Sequence, residues 1–417
     1  MSLKSYTYVV IIFLLITFLS FLHSFGALAD PEKVVLTSEL LEERIKSPQL
    51  QDGILNLNLT SLEIDLTEEN NQFRDEFYRQ VQHYLNSSDK TVGLDFSHSL
   101  IKGDLFSNRL GILTILSEET LPQDLTINER KIIESNEKFS TQPRENIDSV
   151  ILFRGSLKLN EVTLKGKINF TNTIFLQKIE AKDSNFLKDI DFHDSYLGRK
   201  VDFSNSVFQE NTNFRKSLFL ESVKFNEVQF VKNSDFNYAQ FKEKSNFSES
   251  NFNQVADFSY TFWSETSNFI NINCRDRILF SNSIFGSLIN LSNSTFEKSI
   301  VFRNTYFRDI LKLEDIKLLG IMDFSNADFL KNKAINIAGF AFDSDGAKVL
   351  GNTGKIGRFM YLKDLERNET VIRNLIQNFR NLEQIYDANQ LEYKKQKLLQ
   401  KVSSQKARGH SLRKLRP

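Results

Sequence analysis

Nucleophilic chemistry needs a thiol or hydroxyl beside a base. This chain offers one cysteine, Cys274, and five histidines, His23, His83, His98, His193 and His410. A reactive thiol must be exposed and beside a cation. Arg275 adjoins Cys274, yet Cys274 occupies a position of the sequence pattern that reads as inward-facing, so it is expected to be a small buried hydrophobe. No histidine has a partner at metal-ligand or triad spacing, and a single cysteine cannot form an internal disulfide. Asp343, Asp345 and Gly346 look like part of a calcium loop, but the twelfth position lacks the bidentate glutamate, so the run reads as a turn. No nucleophile–base or carboxylate pair in residues 30–150 supports an active site there. No catalytic residue, metal or cofactor is expected, and the chain reads as non-enzymatic.

The remaining chemistry is electrostatic. The formal net charge is zero, but residues 394–417 carry nine Lys/Arg and no acid, and the first 29 residues carry one Lys and no acid. Ten of the 53 basic residues thus lie in the two ends with none of the 53 acidic ones, so the body carries a net charge of −10. Basic side chains near anionic lipid contribute about 1 kcal/mol each. Lys406, Arg408, Arg413, Lys414 and Arg416 are therefore the candidate contacts with an anionic membrane surface. Nucleic acid is a less favoured partner.

The chain opens with a short basic start, an apolar run from Val9 to Leu22 and small residues ending Ala27-Leu28-Ala29. The order fits a secretory signal cleaved after Ala29. An uncleaved membrane anchor is the alternative, although about 14 apolar residues are few for a span of roughly 20. Export to the periplasm or cell envelope is expected either way.

What must position any functional surface is a repeat. Every eleventh residue from Phe153 to Phe340 is apolar, including Trp263 and Cys274, and so is every eleventh residue from Leu159 to Ile335. The two series interleave at steps of six and five, and their 35 positions hold 25 of the 38 phenylalanines. A fixed short period of this kind signals a repeat architecture. Two residues before most of these positions sits a small or β-branched residue, such as Ser245, Ser250, Ser267 or Val223, commonly followed by Asp or Asn. Residues two apart in an extended segment point the same way. The small residue and the phenylalanine therefore face inward with the polar one between them facing out, and Asn, Asp and Ser supply the turns. Four sides make a coil of 22 residues, and no proline falls between Pro143 and Pro417, as an unbroken ladder requires. At roughly 4.8 Å per layer the rod is about 40 Å long.

The succession of small residue, Asp/Asn, Phe/Leu, Ser/Arg/Asn, as in VKFNEVQF and SNFSESNF, resembles the pentapeptide-repeat family in its Phe-rich 5+6 variant, of an exported bacterial type. The resemblance implies a mainly β fold, a right-handed quadrilateral β-helix. Some members of the family mimic DNA and bind topoisomerases in the cytoplasm. That is the alternative reading here, and an export signal opposes it.

A solenoid has exposed ends and needs caps. Six segments follow: a signal peptide at 1–29, a small α+β cap at 30–106, a polar surface excursion at 107–147, the β-helix at 148–345, a helical hairpin at 359–404 and a basic disordered tail at 405–417. In the cap, Leu36–Ile45 and Asn70–Leu85 have helical spacing, the latter with Phe73, Phe77, Val81 and Tyr84 on one face. In the hairpin, Asn368 reads as an N-cap, and Asp387 with Gln390 as a capping box for a second helix ending near Val402. The run NFRNLEQIYDANQLEY is similar to segments that join such solenoids to further modules in bacterial membrane proteins, and no further module is expected. The expected function is a non-enzymatic envelope protein whose rigid rod binds a protein partner.

Overall fold

The computed structural model describes residues 33–51, 53–87, 91–114, 125–139, 149–330, 334–342, 346–365 and 368–414. The signal-like segment, Asp343, Asp345 and Arg416 lie outside the described residues. From Leu157 to Phe329 the chain is a succession of very short strands, each paired in parallel with a strand 22 residues away, as in Leu157–Ile179, Ile179–Val201 and Val201–Val223. Four sheets result, of 13, 12, 10 and 10 strands. In chain order we call them the first sheet (holding Leu157–Lys158), the second (Thr163–Leu164), the third (Ile168–Asn169) and the fourth (Thr173–Phe175). The fold is the parallel β-solenoid that the period requires.

Identical rungs place ring over ring. Phe236 lies between Phe214 and Phe258, with centroids 5.2 and 4.7 Å away and planes within 9° and 8° of parallel. Rings from opposite sides meet edge-on, as Phe236 meets Phe247 at 88°. Such pairs add about 0.5–1.5 kcal/mol each to the burial of their area.

The corners explain the polar residues. Glu161, Asn172, Asp183 and every eleventh residue on to Asn326 have φ between 50° and 62°. Asn and Asp fill ten of these sixteen corners, being the side chains that best tolerate a left-handed backbone. Where Asp or Asn precedes an inward phenylalanine of the first or third sheet, it closes a second device. Its Oδ1 accepts the N–H two residues on, as Asp235 does from Asn237 (2.8 Å) and Asp257 from Ser259 (2.8 Å).

The small inward residues fall into two chemically distinct sets. Those after a left-handed corner donate across coils: Ser217 Oγ to the Phe192 carbonyl (2.7 Å), Ser283 to Phe258 (2.8 Å), Thr305 to Phe280 (2.6 Å). Those on the first and third sheets, Thr212, Ser234, Ser245 and Ser267, are equally buried but have no hydrogen-bond partner for the hydroxyl. A buried hydroxyl without a partner costs about 1–3 kcal/mol. Ser245→Ala and Ser267→Ala are each expected to stabilise the rod by about 1 kcal/mol, and Ser283→Ala to destabilise it by a similar amount. Urea-denaturation midpoints decide, and a loss of stability in both of the first two variants refutes the assignment.

One register expectation is overturned. Leu313 is followed on its ladder by Ile337 rather than Ile335, because Leu311 pairs with Ile335. Leu318 is followed by Phe342 rather than Phe340. Two extra residues enter after Phe329. The shift is invisible in the sequence because side chains two apart share a face, and both Ile335 and Phe340 remain buried.

The mixed N-terminal region is continuous with the rod. Helix α1 (Ser38–Lys46) is capped by Thr37, whose hydroxyl accepts the Leu40 N–H, and helix α2 (Asn71–Ser87) buries Phe77, Tyr78 and Val81. Strands Ile54–Asn58 and Val92–Asp95 stack under Leu157–Lys158, and Leu62–Leu66 and Leu100–Gly103 under Thr163–Leu164. Ser61 and His98 already occupy left-handed corners. The polar excursion contains helix α3 (Ile127–Phe139), opened by a capping box in which the Thr126 N–H donates to Glu129 Oε2 (2.8 Å) and the Glu129 N–H to Thr126 Oγ1 (3.2 Å).

The C-terminal end is closed by helices α4 (Glu369–Asn381) and α5 (Ile385–Lys414). α5 continues past Val402 to Lys414, through a run whose Lys and Arg residues suit the negative end of the dipole. The hairpin completes the edges of the last coil with side chains. Asn378 exchanges two hydrogen bonds with the Val349 backbone (3.1 and 2.9 Å), as a further strand would. Asn374 and Gln384 donate to the Phe342 and Gly351 carbonyls (3.2 and 2.5 Å). Lys394 donates to the carbonyls of Gly357, Arg358 and Met360. Two capping expectations are corrected. Asn368 stands at the N-cap of α4, but its side chain makes no cap bond and instead accepts the Gly339 N–H (2.7 Å). Asp387 lies inside the first turn of α5 and accepts from Gly354, Ile356 and Gly357 (2.6, 3.1 and 2.8 Å) rather than from its own helix.

Candidate interaction surface

The residues that could have done nucleophilic or metal chemistry are rungs or corners. Cys274 is buried, and burial pushes its thiol well above the ordinary range, away from thiolate. Trp263 is buried between Phe241 and Phe285, and its Nε1–H donates to Thr261 Oγ1 (2.7 Å). His98 and His193 point outward beside carboxylates, Glu161 at 3.1 Å and Asp191 at 2.9 Å, and His83 is exposed on α2. Among the described residues no three His, Cys, Asp or Glu stand close enough to hold a metal ion, and no helix is long and apolar enough to cross a membrane. Lys406, Arg408, Arg413 and Lys414 fall on the last turns of α5.

The outer faces carry the differences. The first face carries charges of both signs that pair along the rod, Asp202 lying 3.7 Å from Lys182 and 3.6 Å from Lys224. The third presents an acidic and amide row interrupted by Leu279 and Val301, and burial and then the Asp257 carboxylate raise the pKa of Asp235. Its corner with the fourth face stacks Tyr238 on Tyr260 at 4.5 Å. The fourth face is unlike the rest. Its outward row reads Ile174, Tyr196, Leu218, Gln240, Phe262, Ile284, Tyr306.

Half of that face is covered. Ile132 and Ile133 of α3, with Leu125, pack on Leu152, Ile174, Tyr196 and Leu218 as a hydrophobic cluster separate from the rod interior. Gly198 makes room: a Cβ there would stand 2.7 Å from Ile132 Cγ2. Glu129 of α3 is buried and pairs with Arg154 of the rod (3.3 Å).

The other half, Phe262, Ile284 and Tyr306, has no helix over it among the described residues. The three side chains are half-buried by their neighbours in the sheet. Lys242 and Arg308 stand 5.0 and 6.0 Å from the Phe262 and Tyr306 ring centres, and burial lowers the pKa of Lys242. A flat apolar strip flanked by cations over aromatic rings has the composition of an interface centre.

An eleven-residue reading does not find this face, because it pools two faces in one position. Separated at 22, the residue before the inward rung is Asn185, Val207, Gln229, Asn251, Asn273 on the second face, against the aliphatic and aromatic row on the fourth.

The fold and surface thus define a parallel β-solenoid with 22-residue coils, capped at its C-terminal end, with one apolar outer face. No family model, curated protein or solved structure matches the chain.

Proposed function

We propose that this chain is a non-enzymatic scaffold of the pentapeptide-repeat kind, exported to the bacterial cell envelope, whose rod holds a protein partner on its fourth face. The observation that carries the reading is the uncovered strip of Phe262, Ile284 and Tyr306 on a rod whose other faces are mainly polar. A contiguous apolar surface of this type marks an interaction site. A rod whose coils each contact only their neighbours presents such a strip without reorganisation. The leader-like start before Asp30 supports export, and the basic residues Lys406, Arg408, Arg413, Lys414 and Arg416 support contact with anionic lipid after it.

A photo-crosslinking amino acid placed at Tyr306, and for comparison at Asn273 on the second face, tests the reading in the host. A discrete adduct from position 306 alone, in the envelope fraction and on a chain beginning at Asp30, is expected. Equal adducts from both positions, or a cytosolic chain retaining Met1, would sink it.

A further inference from the structure

We infer that the uncovered half of the fourth face binds an amphipathic helix of the partner, one with adjacent aliphatic residues and a carboxylate, in the manner that the covered half binds α3. The inference rests on the proposed scaffold reading and adds the chemistry of the bound segment.

The two halves of the face share a construction. Under α3 an outward Ile–Tyr–Leu row runs beside Gly198, and Ile132 occupies the space that a Cβ would fill. Gly286 holds the same position four coils on, beside Phe262, Ile284 and Tyr306. At both glycines a Cβ would crowd a carbonyl oxygen of the coil beneath, Phe175 at 2.8 Å and Trp263 at 2.9 Å, so the face carries no side chain at either position. Charge repeats as well. Arg154 ends the covered half and pairs with Glu129 of the seated helix. Lys242 follows Phe241 as Arg154 follows Phe153, each one step past an inward rung of the same sheet and two coils before its glycine. An aliphatic side chain over Gly286 and a carboxylate meeting Lys242 reproduce both contacts. An extended strand does not fit, because a sheet face offers side chains and no free backbone edge. The polar N–H and C=O groups of a helix are satisfied internally, which suits an apolar surface.

The probe is a labelled peptide with the sequence of residues 125–139, titrated into the full-length chain by fluorescence anisotropy. Saturable binding is expected, weakened about tenfold or more by Ile284→Asp, as for an interface anchor. Lys242→Glu should weaken it comparably. Exchanging the peptide's glutamate equivalent to Glu129 for arginine should restore binding to that variant. Asn251→Asp on the second face should leave binding unchanged. Absence of saturable binding overturns the inference. So does binding that ignores Ile284→Asp and Lys242→Glu but is lost with Leu218→Asp under α3. Self-association abolished by Ile284→Asp would assign the face to a second copy of this chain and overturn it too. A face-specific cross-link at Tyr306 together with a silent peptide would remove the helix while leaving the scaffold reading intact.

Discussion

Asp387→Ala is expected to destabilise the C-terminal third of the rod by about 3–5 kcal/mol and to expose its last coil. The carboxylate is fully buried and accepts three backbone N–H groups, from Gly354, Ile356 and Gly357. Removing the acceptor leaves buried donors unpaired, at about 1–3 kcal/mol for each one that water does not reach. The loop cannot collapse to compensate. A Cβ at Gly357 would already stand 2.6 Å from the Asp387 carbonyl oxygen, so the segments are in backbone contact. Asp387→Asn retains one acceptor oxygen and should lose roughly half as much. The loss reaches further than the loop because α4 and α5 complete the edges of the last coil, through Asn378 on Val349 and Gln384 on Gly351. Unfastened, those edges become templates for pairing with other chains. Hydrogen exchange of residues 348–361, with light scattering, measures both effects. A change below about 1 kcal/mol with unaltered exchange contradicts the account.

The rod was legible in the sequence because its period is enforced by sterics at every rung. An inward Phe and a small residue two positions earlier leave few alternatives over 188 residues. What was illegible had one of two physical causes. The first is that a period-two pattern is blind to shifts of two, so the insertion after Phe329 left Ile335 and Phe340 looking like rungs. The second is that polar residues announce a hydrogen bond without naming its partner. Asp387 and Asn368 have the types and positions of helix caps, yet both serve the neighbouring coil. Thr126 and Glu129 form a true capping box inside a stretch whose charge suggests a surface loop. The fourth face was legible in principle. Ile174, Tyr196, Leu218, Phe262, Ile284 and Tyr306 recur at multiples of 22, and only a reading at the full coil separates them from the polar second face.

Phe236→Ala in mid-rod is expected to cost about 3–5 kcal/mol, and the manner of the loss discriminates between two kinds of cohesion. The ring is fully buried, stacked on Phe214 and Phe258 and edge-on to Phe225 and Phe247. Deleting it removes the transfer energy of the ring and leaves a cavity walled by other aromatic rungs, which the stacked backbone layers above and below hold apart. In a globular core the strain would spread in all directions. In a solenoid each coil touches only the coils on either side, so stability is a sum of coil and nearest-neighbour terms. Amide exchange should therefore rise sharply in the coils containing Phe214, Phe236 and Phe258 and hardly at all near Leu164 or Phe307. The rod should then unfold in two steps, as blocks on either side of the defect. Phe236→Leu, which keeps most of the volume, should cost about 1–1.5 kcal/mol and preserve a single transition. Exchange that rises evenly from Leu157 to Phe342 would mean that the rod behaves as one cooperative body. The uncovered strip at Phe262, Ile284 and Tyr306 would then share in any distant disturbance.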